Sequence, residues 1–499
     1  MSIFPTYAPP GQRDRAVGGL PRPATGVPRL PPVAVSGLAL VVAVAAGHYF
    51  ADGRTTLAAG LVLAVWYGPL VLLDLTMAVA VYVVVLYVGD ITALSVGPNT
   101  MGLLLLLAWI GTLLTHTAHR LVLREHARLL LFLALFVLWL ALSMTWAANS
   151  GEARNGLQNW TIAIAAFLVV LTAPQSPRDV AKIALAFVIG GVTSVAFGIA
   201  TGELSAAATS AGELGRFTGG GGDANVQAAG FLAAMFLCPG LWPLVRSKLG
   251  RASLLLAFTL VTIGFFATQS RGGFISLAVA AAAGFVLLPP QRKRLLGLAG
   301  AAALGLGVFA ALNPGGVARI TDFSGGTSGR NDLWTVAWKI FTEHPWVGIG
   351  ASNFQLVEPH YALLSGTLAR VDLITEDPHL VHNVYLQLLT ETGVIGLLVF
   401  LFVIGSCIRA SWLAARRFDA VGQVGYGDLA RAILMAEIAM LSAQFFISDG
   451  EDLRLWFLLG LGPALLSFAN RAQHADYPGA ARASPMVEGQ PRFAARRLS

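Results

Sequence analysis

The chain has 499 residues, of which 56% are hydrophobic and only 12% are charged, and its mean hydropathy is +0.70. Soluble globular domains carry about 25% charged residues, so this composition excludes a soluble enzyme. The net charge of +7 fits either a nucleic-acid surface or the cytoplasmic loops of a membrane protein, and its distribution decides between them. Cys238 and Cys407 lie far apart inside apolar runs, outside any Cys-x-x-Cys pattern, which predicts two buried free thiols.

Apolar runs near the length of about 20 residues that crosses a bilayer recur along almost the whole chain. They are bounded by charged residues, glycine or proline, and predict an all-α, polytopic membrane protein with about 12–14 transmembrane helices and one large periplasmic loop. The candidate spans are residues 33–50, 57–73, 75–95, 101–117, 129–149, 157–173, 180–200, 224–245, 252–270, 273–289, 295–312, 393–413, 430–448 and 453–469.

The distribution of basic residues predicts the sidedness of these spans. With the amino terminus in the cytoplasm, only nine of the 33 Lys and Arg residues fall outside, and the rest lie in cytoplasmic loops and tails. By the positive-inside rule both termini are cytoplasmic, and no nucleic-acid partner is expected. The predicted organisation is a disordered basic tail (1–32), transmembrane helices (33–312), a large periplasmic loop with amphipathic helices (313–392), C-terminal transmembrane helices (393–469) and a cytoplasmic tail (470–499).

The long external loop carries a helical pattern of its own. A cap at Asn331 or Asp332 and a stop at Pro345 bound an amphipathic segment. An interfacial helix of this kind would cover whatever lies beneath it at the membrane surface. The apolar residues at helical spacing are Leu333, Trp334, Ala337, Ile340 and Phe341.

Three external arginines are candidates for binding an anion. Arg271 lies between two apolar runs with almost no loop, where an arginine is costly unless it faces a cavity or an anionic partner; the alternative is a side chain that snorkels to the headgroups. Arg330 precedes the amphipathic helix, where a guanidinium and a helix amino terminus could hold phosphate together, or it is a solvated loop arginine. Arg216 precedes the run Gly219–Gly222, which either lets backbone approach a ligand or forms a flexible loop.

The loop also contains the candidate base. His382 lies where the chain re-enters the membrane, so it can accept a proton over a cavity mouth, although a loop histidine is more often solvated. Asp377, His379 and His382 do not have a reliable metal-ligand spacing, so no metal is expected. The acidic run 449–452 is most simply a solvated turn. The sequence contains no Walker A loop, dinucleotide fingerprint or Gly-x-Ser-x-Gly elbow.

The order of these features resembles the O-antigen ligase and O-antigen polymerase superfamily of bacterial membrane glycosyltransferases. The clearest similarity is the pattern His382-Asn383-x9-Gly393-x-x-Gly396, which looks like the His-Asn-x9-Gly-x-x-Gly signature at the end of the ligases' large periplasmic loop. The opening of an earlier helix by Asp223-x-Asn225 is also similar to that family.

The resemblance implies a GT-C-like helical fold in the bacterial inner membrane with a periplasmic active site. It also implies transfer of a glycan from undecaprenyl diphosphate to a hydroxyl of a glycan, of lipid A core or of another acceptor, without a nucleotide sugar or cofactor. On this view Arg271, Arg330 and Arg216 bind the diphosphate and stabilise its developing charge. His382 accepts or orients the acceptor's proton.

Two other functions stay open. A polymerase joins repeat units that both carry the lipid, and the His-Asn motif favours the ligase only mildly. A transporter of lipid-linked glycans predicts charged residues buried through the bilayer and two related halves, whereas the predicted spans are nearly free of charge.

Overall fold

A computed structural model describes the protein at residues 44–45, 47–49, 51, 55–89, 97–115, 117–209, 215–288, 292–312, 330–364, 367–368 and 379–476. Every regular element in those ranges is a helix, and none is a strand. The predicted tail 1–32, most of the tail 470–499 and parts of the long loop lie outside the described residues.

Seventeen helices are named in chain order along residues 55–476 of the described chain. They are α1 Thr55–Leu73, α2 Leu75–Leu86, α3 Gly97–Thr115, α4 Thr117–Glu125, α5 Ala127–Ser143, α6 Ser150–Thr172, α7 Pro177–Ala200, α8 Glu203–Thr209, α9 Ala224–Leu241, α10 Lys248–Ala267, α11 Arg271–Leu287, α12 Arg292–Leu312, α13 Arg330–Glu343, α14 Phe354–Leu363, α15 Val384–Ala420, α16 Val424–Ala443 and α17 Leu453–Asp476.

Many of these helices are apolar enough to lie in a membrane. Among the described residues, α6, α7, α9, α10, α15 and α17 are long and apolar enough to cross one, and α1, α2, α3, α5 and α11 contain shorter apolar stretches. An all-α polytopic membrane protein is therefore confirmed. The number of 12–14 spans stays a prediction.

Polar residues in front of the apolar runs determine where several helices begin. The side chain of Asn149 accepts the Gly151 amide before α6, and Asp223 accepts the Asn225 amide at 2.7 Å before α9. The Ser270 side chain likewise accepts the Gly273 amide before α11. Each cap satisfies an amide that has no partner within its own helix.

The core is a bundle in which α9 packs along α16, and α16 in turn contacts α11 and α15. Helix α15 also packs against α5 and α17. Large aromatic rings fill the interior: Trp456 is fully buried and meets Trp160 edge-on, with ring centroids 6.0 Å apart. Cys238 and Cys407 are buried free thiols, as predicted.

Two details of the sequence prediction need correction. The amphipathic helix α13 begins at Arg330, so neither Asn331 nor Asp332 is its cap, although Leu333, Ala337 and Ile340 are buried as predicted. The spans are also less free of charge than predicted, because Glu437 is fully buried within α16, where the Ser411 hydroxyl donates to it at 2.9 Å. A hydroxyl of the neighbouring helix α15 thus gives the buried Glu437 carboxyl a hydrogen-bond partner, and the hydropathy pattern does not reveal this carboxyl.

Candidate active site

Four helices begin at one end of the bundle, within reach of the long loop. The start of α15 is tied to the segment between α16 and α17, because the Val384 amide donates to the Gln444 carbonyl at 2.9 Å. The start of α11 packs on the same segment, since a Cβ at Gly272 would press on the Phe446 ring. Helices α9 and α17 begin at the same end, because Arg454 at the start of α17 donates to Gln227 near the start of α9. Converging helix amino termini carry partial positive charge, which suits an anion.

Arg216 belongs to a hydrogen-bonded cluster that reaches the start of α11. Its Nη2 donates to Asn225 Oδ1 at 2.6 Å, and its Nε donates to the Thr268 carbonyl at 3.0 Å. The Ser270 hydroxyl donates to the same Asn225 oxygen at 2.8 Å. Because Arg271 follows Ser270 directly, this cluster brings two of the predicted arginines and Asn225 to one turn.

His382 occupies a strained backbone position. Its φ of +52° lies in the left-handed region, which costs a non-glycine residue roughly 1–2 kcal/mol and recurs at functional sites. Two neighbours hold it there. The Trp334 indole donates to the Val381 carbonyl at 3.0 Å, and Asn383 caps α15 by accepting the Leu386 amide at 3.1 Å. The predicted base is therefore fixed between helix α13 and the start of α15.

Burial and a neighbouring cation lower the pKa of His382. Burial lowers the pKa of the His382 imidazole, the Arg330 guanidinium lowers that pKa further, and the Asp223 carboxylate opposes both. A neutral imidazole can accept a proton, which a general base must do. Arg330 and Asp223, which the sequence separates widely from His382, thus act on the charge of its imidazole in opposite directions.

The motif glycines shape the backbone rather than supply chemistry. Gly393 has φ +67°, and a Cβ there would overlap the Trp346 carbonyl, so only glycine fits where the loop meets α15. At Gly396 a Cβ would overlap the Thr392 hydroxyl and approach Trp139 Cδ1 to 3.1 Å. The two glycines let the loop segment before α14 and the helix α5 dock against the kink in α15.

The acidic run 449–452 is not the solvated turn that its composition predicts. Asp452 and Arg454 are buried, and the Arg454 guanidinium binds the Asp452 carboxylate through Nε and Nη2 at 3.0–3.2 Å. Arg454 Nη1 also donates to Gln227 Oε1 at 2.9 Å, which joins α17 to α9. Sequence reasoning missed this pair, although an arginine at the edge of an apolar run signals a buried partner.

The remaining acids of this turn hold their protons more tightly than usual. Burial raises the pKa of Asp449, and the adjacent carboxylates of Asp452 and Glu451 raise it further against the opposing Arg454. Burial also raises the pKa of Glu451 to about 7. The partly buried acids therefore repel an incoming anion less than three ionised carboxylates would.

The glycine run after Arg216 is held in place by polar side chains. Gln227 Nε2 donates to the Ser194 hydroxyl at 2.6 Å, and that hydroxyl donates to the Gly219 carbonyl at 2.8 Å. The Gly219 amide donates to Glu203 at 3.1 Å. These bonds argue against the flexible-loop interpretation of this run, and Gln227 links the run to Arg454.

The other loop residues considered as metal ligands are His379 and Asp377. His379 Nδ1 is 3.7 Å from a carboxylate oxygen of Glu358, and Asp377 lies outside the described residues. Among the residues that the structure describes, no group of three or more His, Cys, Asp and Glu side chains is placed to hold a metal ion.

Comparison with known proteins identifies the central part of the chain. The family model described as O-antigen ligase matches residues 255–401, which run from within α10 to the middle of α15. The matched segment includes Arg271, Arg330 and the complete motif from His382 to Gly396, whereas Arg216 and the turn 449–454 lie outside it. No curated protein matches this chain. Over residues 255–401, this match supports the resemblance to the O-antigen ligase and O-antigen polymerase superfamily.

Proposed function

We propose that this protein is a metal-independent glycosyltransferase of the ligase type. It transfers a glycan from undecaprenyl diphosphate to an acceptor hydroxyl at the periplasmic face of the bacterial inner membrane. The observation that carries the proposal is a partly buried His382 with a left-handed backbone, whose pKa the Arg330 guanidinium helps to lower, at the end of the bundle where four helix amino termini converge. A base suits displacement of a phosphate leaving group when it lies with a cationic cradle, here the guanidinium groups of Arg216, Arg271 and Arg330 and the helix amino termini.

The cradle is proposed to bind the diphosphate of the donor. Arg330 begins α13, while Arg216 binds Asn225, whose side-chain oxygen also accepts the Ser270 hydroxyl directly before Arg271 and α11. Guanidinium groups match the oxygens of a diphosphate in pairs, and the partial charges at the helix starts add to them. Raised pKa values at Asp449 and Glu451 reduce the opposing negative charge. The isoprenoid chain of the donor would lie among the apolar helices.

The proposed reaction is a single displacement. The acceptor oxygen attacks the anomeric carbon, forming the new glycosidic bond as the bond to the diphosphate oxygen breaks. His382 accepts the acceptor's proton, and the lipid diphosphate leaves with the electron pair of the broken bond. Negative charge on the diphosphate grows in the transition state, so the arginines stabilise that state more than the bound donor. Attack opposite to the leaving group inverts the anomeric configuration.

The acceptor is proposed to be a hydroxyl of lipid A core, of a glycan or of another periplasmic molecule. Both termini would lie in the cytoplasm, as the distribution of Lys and Arg predicts. The arginines and helix starts supply the positive charge that a divalent ion provides in other phosphate-leaving reactions, so the scheme uses no cofactor.

The experiment that tests the proposal measures the glycans left on undecaprenyl diphosphate in native cells that carry only the His382→Ala protein. Long chains stranded on the lipid are expected, because polymerisation continues and ligation stops. Single repeat units stranded there would instead identify a polymerase. His344→Ala is the matched control, since His344 is an exposed histidine of the same loop. A glycan profile for His382→Ala equal to the control's would remove His382 from the reaction.

A further inference from the structure

A cavity lies at the other end of the bundle from His382. It has a volume of about 780 Å³ and is bounded by the junction of α4 and α5, by α15 and by α17. Its lining combines a basic rim with apolar walls, formed by Arg124, Arg128, Arg409, Leu401, Phe402 and Leu466.

The helices that bound this cavity place it on the opposite side of the membrane. Arg409 follows the kink at Gly393 by 16 residues of α15, which corresponds to about 24 Å along the helix axis. Helix α5 runs between the same two levels, because the Trp139 indole near its end donates to the Thr392 carbonyl beside the kink. The distribution of basic residues assigns this side to the cytoplasm.

The arginines of the rim are available for a ligand. Within the described part of the chain, no hydrogen bond or ion pair engages the side chains of Arg124, Arg128 or Arg409. The acidic residue of the lining, Glu125, lies 3.7 Å from Arg471, a guanidinium outside the lining. Among the described residues, the cavity therefore keeps a net positive charge.

The other polar residue between α4 and α5 does not add to that charge. His126 precedes α5 and bonds through Nε2 to the Ser467 hydroxyl at 2.9 Å. Burial lowers the pKa of this histidine, against a smaller opposing influence of Glu125. A neutral ring fixed to α17 holds the junction of α4 and α5 in place, so the recognition of an anion falls to the three guanidinium groups.

We propose that this cavity binds an anionic phospholipid of the cytoplasmic leaflet, with its phosphate on Arg124, Arg128 and Arg409. The apolar wall specifies a lipid rather than a soluble phosphate. Leu401 and Phe402 are 39% and 43% exposed, and they border the rim where an acyl chain would follow the headgroup into the bilayer. Basic pockets between transmembrane helices at the cytoplasmic face recognise anionic headgroups in this way. This site is separate from the proposed transfer reaction and does not depend on it.

The test measures phospholipid binding to the purified, delipidated full chain in detergent, by native mass spectrometry during titration with phosphatidylglycerol or phosphatidylcholine. Each arginine contributes roughly a fivefold gain in affinity for an anionic lipid, so the triple variant Arg124→Gln/Arg128→Gln/Arg409→Gln should bind phosphatidylglycerol on the order of 100-fold more weakly. Arg416→Gln is the matched control. Arg416 lies on α15, as Arg409 does, but outside the cavity lining, and its guanidinium carbon is 4.8 Å from the centroid of the Trp412 ring. This variant should bind phosphatidylglycerol as the unchanged protein does.

Three results would overturn the proposal. They are equal phosphatidylglycerol binding by the triple variant and the control, equal binding of both lipids by the unchanged protein, and displacement of the lipid by millimolar inorganic phosphate, which would indicate a soluble-anion site. A second measurement avoids reliance on the triple variant. A photoreactive phosphatidylglycerol added to the unchanged protein should label peptides containing Phe402 or Leu466, and labelling elsewhere would contradict the site.

Discussion

The strained backbone of His382 gives a prediction that separates stability from catalysis. Both His382→Ala and His382→Gly remove the imidazole, so both should lower the rate of glycan transfer by about 100- to 10,000-fold, the usual contribution of a general base. Their stabilities should differ. Alanine at φ +52° stays in the left-handed region, whereas glycine enters this region freely.

The size of this difference follows from two opposing terms. A left-handed conformation costs an L residue roughly 1–2 kcal/mol, and glycine avoids this cost. Glycine loses more conformational freedom on folding, which costs roughly 0.5–1 kcal/mol relative to alanine. The glycine variant should therefore be more stable than the alanine variant by up to about 1.5 kcal/mol. At an ordinary helical position the order reverses, and Thr342, which is exposed in α13, supplies that control.

The assay compares the thermal midpoints of the four purified variants in one detergent, read from tryptophan fluorescence, with transfer measured on the same samples. The predicted order places His382→Gly above His382→Ala, and Thr342→Gly below Thr342→Ala. If alanine were the more stable replacement at both positions, His382 would not be held in the left-handed region, and the argument that its strain marks a functional site would fail.

Three further predictions concern charge. The transfer rate should fall as the pH drops through the pKa of His382. Because burial and Arg330 lower that pKa, the midpoint of the loss should lie below the ordinary histidine pKa of about 6.5. A midpoint above about pH 6.5 would contradict His382 as the base. Arg454→Gln should cost about 3–5 kcal/mol because it leaves the buried Asp452 carboxylate unpaired. The double variant Asp452→Asn/Arg454→Gln should recover part of that loss in thermal unfolding, and strictly additive losses would argue against the pair. Treatment with EDTA should leave the transfer rate unchanged, whereas a loss that Mg²⁺ restores would show that a metal takes part.

Structural features whose residues lie close together in the sequence were predictable. The pattern from His382 to Gly396 lies within fifteen residues, so its spacing alone indicated the end of the loop and the return to the membrane. The amphipathic period of α13 was equally local, and its buried residues follow from it. The candidate arginine at 271 stood out because a charge between two apolar runs is costly.

Contacts between distant segments were not predictable in the same way. The pairing of Arg454 with Asp452 could have been suspected from their spacing, but its link to Gln227 joins residues 227 positions apart. The strain at His382 likewise depends on Trp334 in another helix. Composition also concealed Glu437, since one carboxyl barely changes the hydropathy of an apolar helix. Tertiary packing sets burial and backbone conformation at these positions, and a single sequence does not encode it in local form.

The central claim is that this protein breaks the bond between a glycan and a lipid diphosphate by means of the His382 centre. The most direct measurement places the purified protein in vesicles with an undecaprenyl-diphosphate-linked glycan and an acceptor, and quantifies free lipid diphosphate and glycosylated acceptor together. Equal amounts of both products, with inverted anomeric configuration, are expected from the unchanged protein, and neither product from His382→Ala that still binds the donor. Movement of intact donor across the vesicle membrane without release of lipid diphosphate would contradict the proposed reaction and indicate transport.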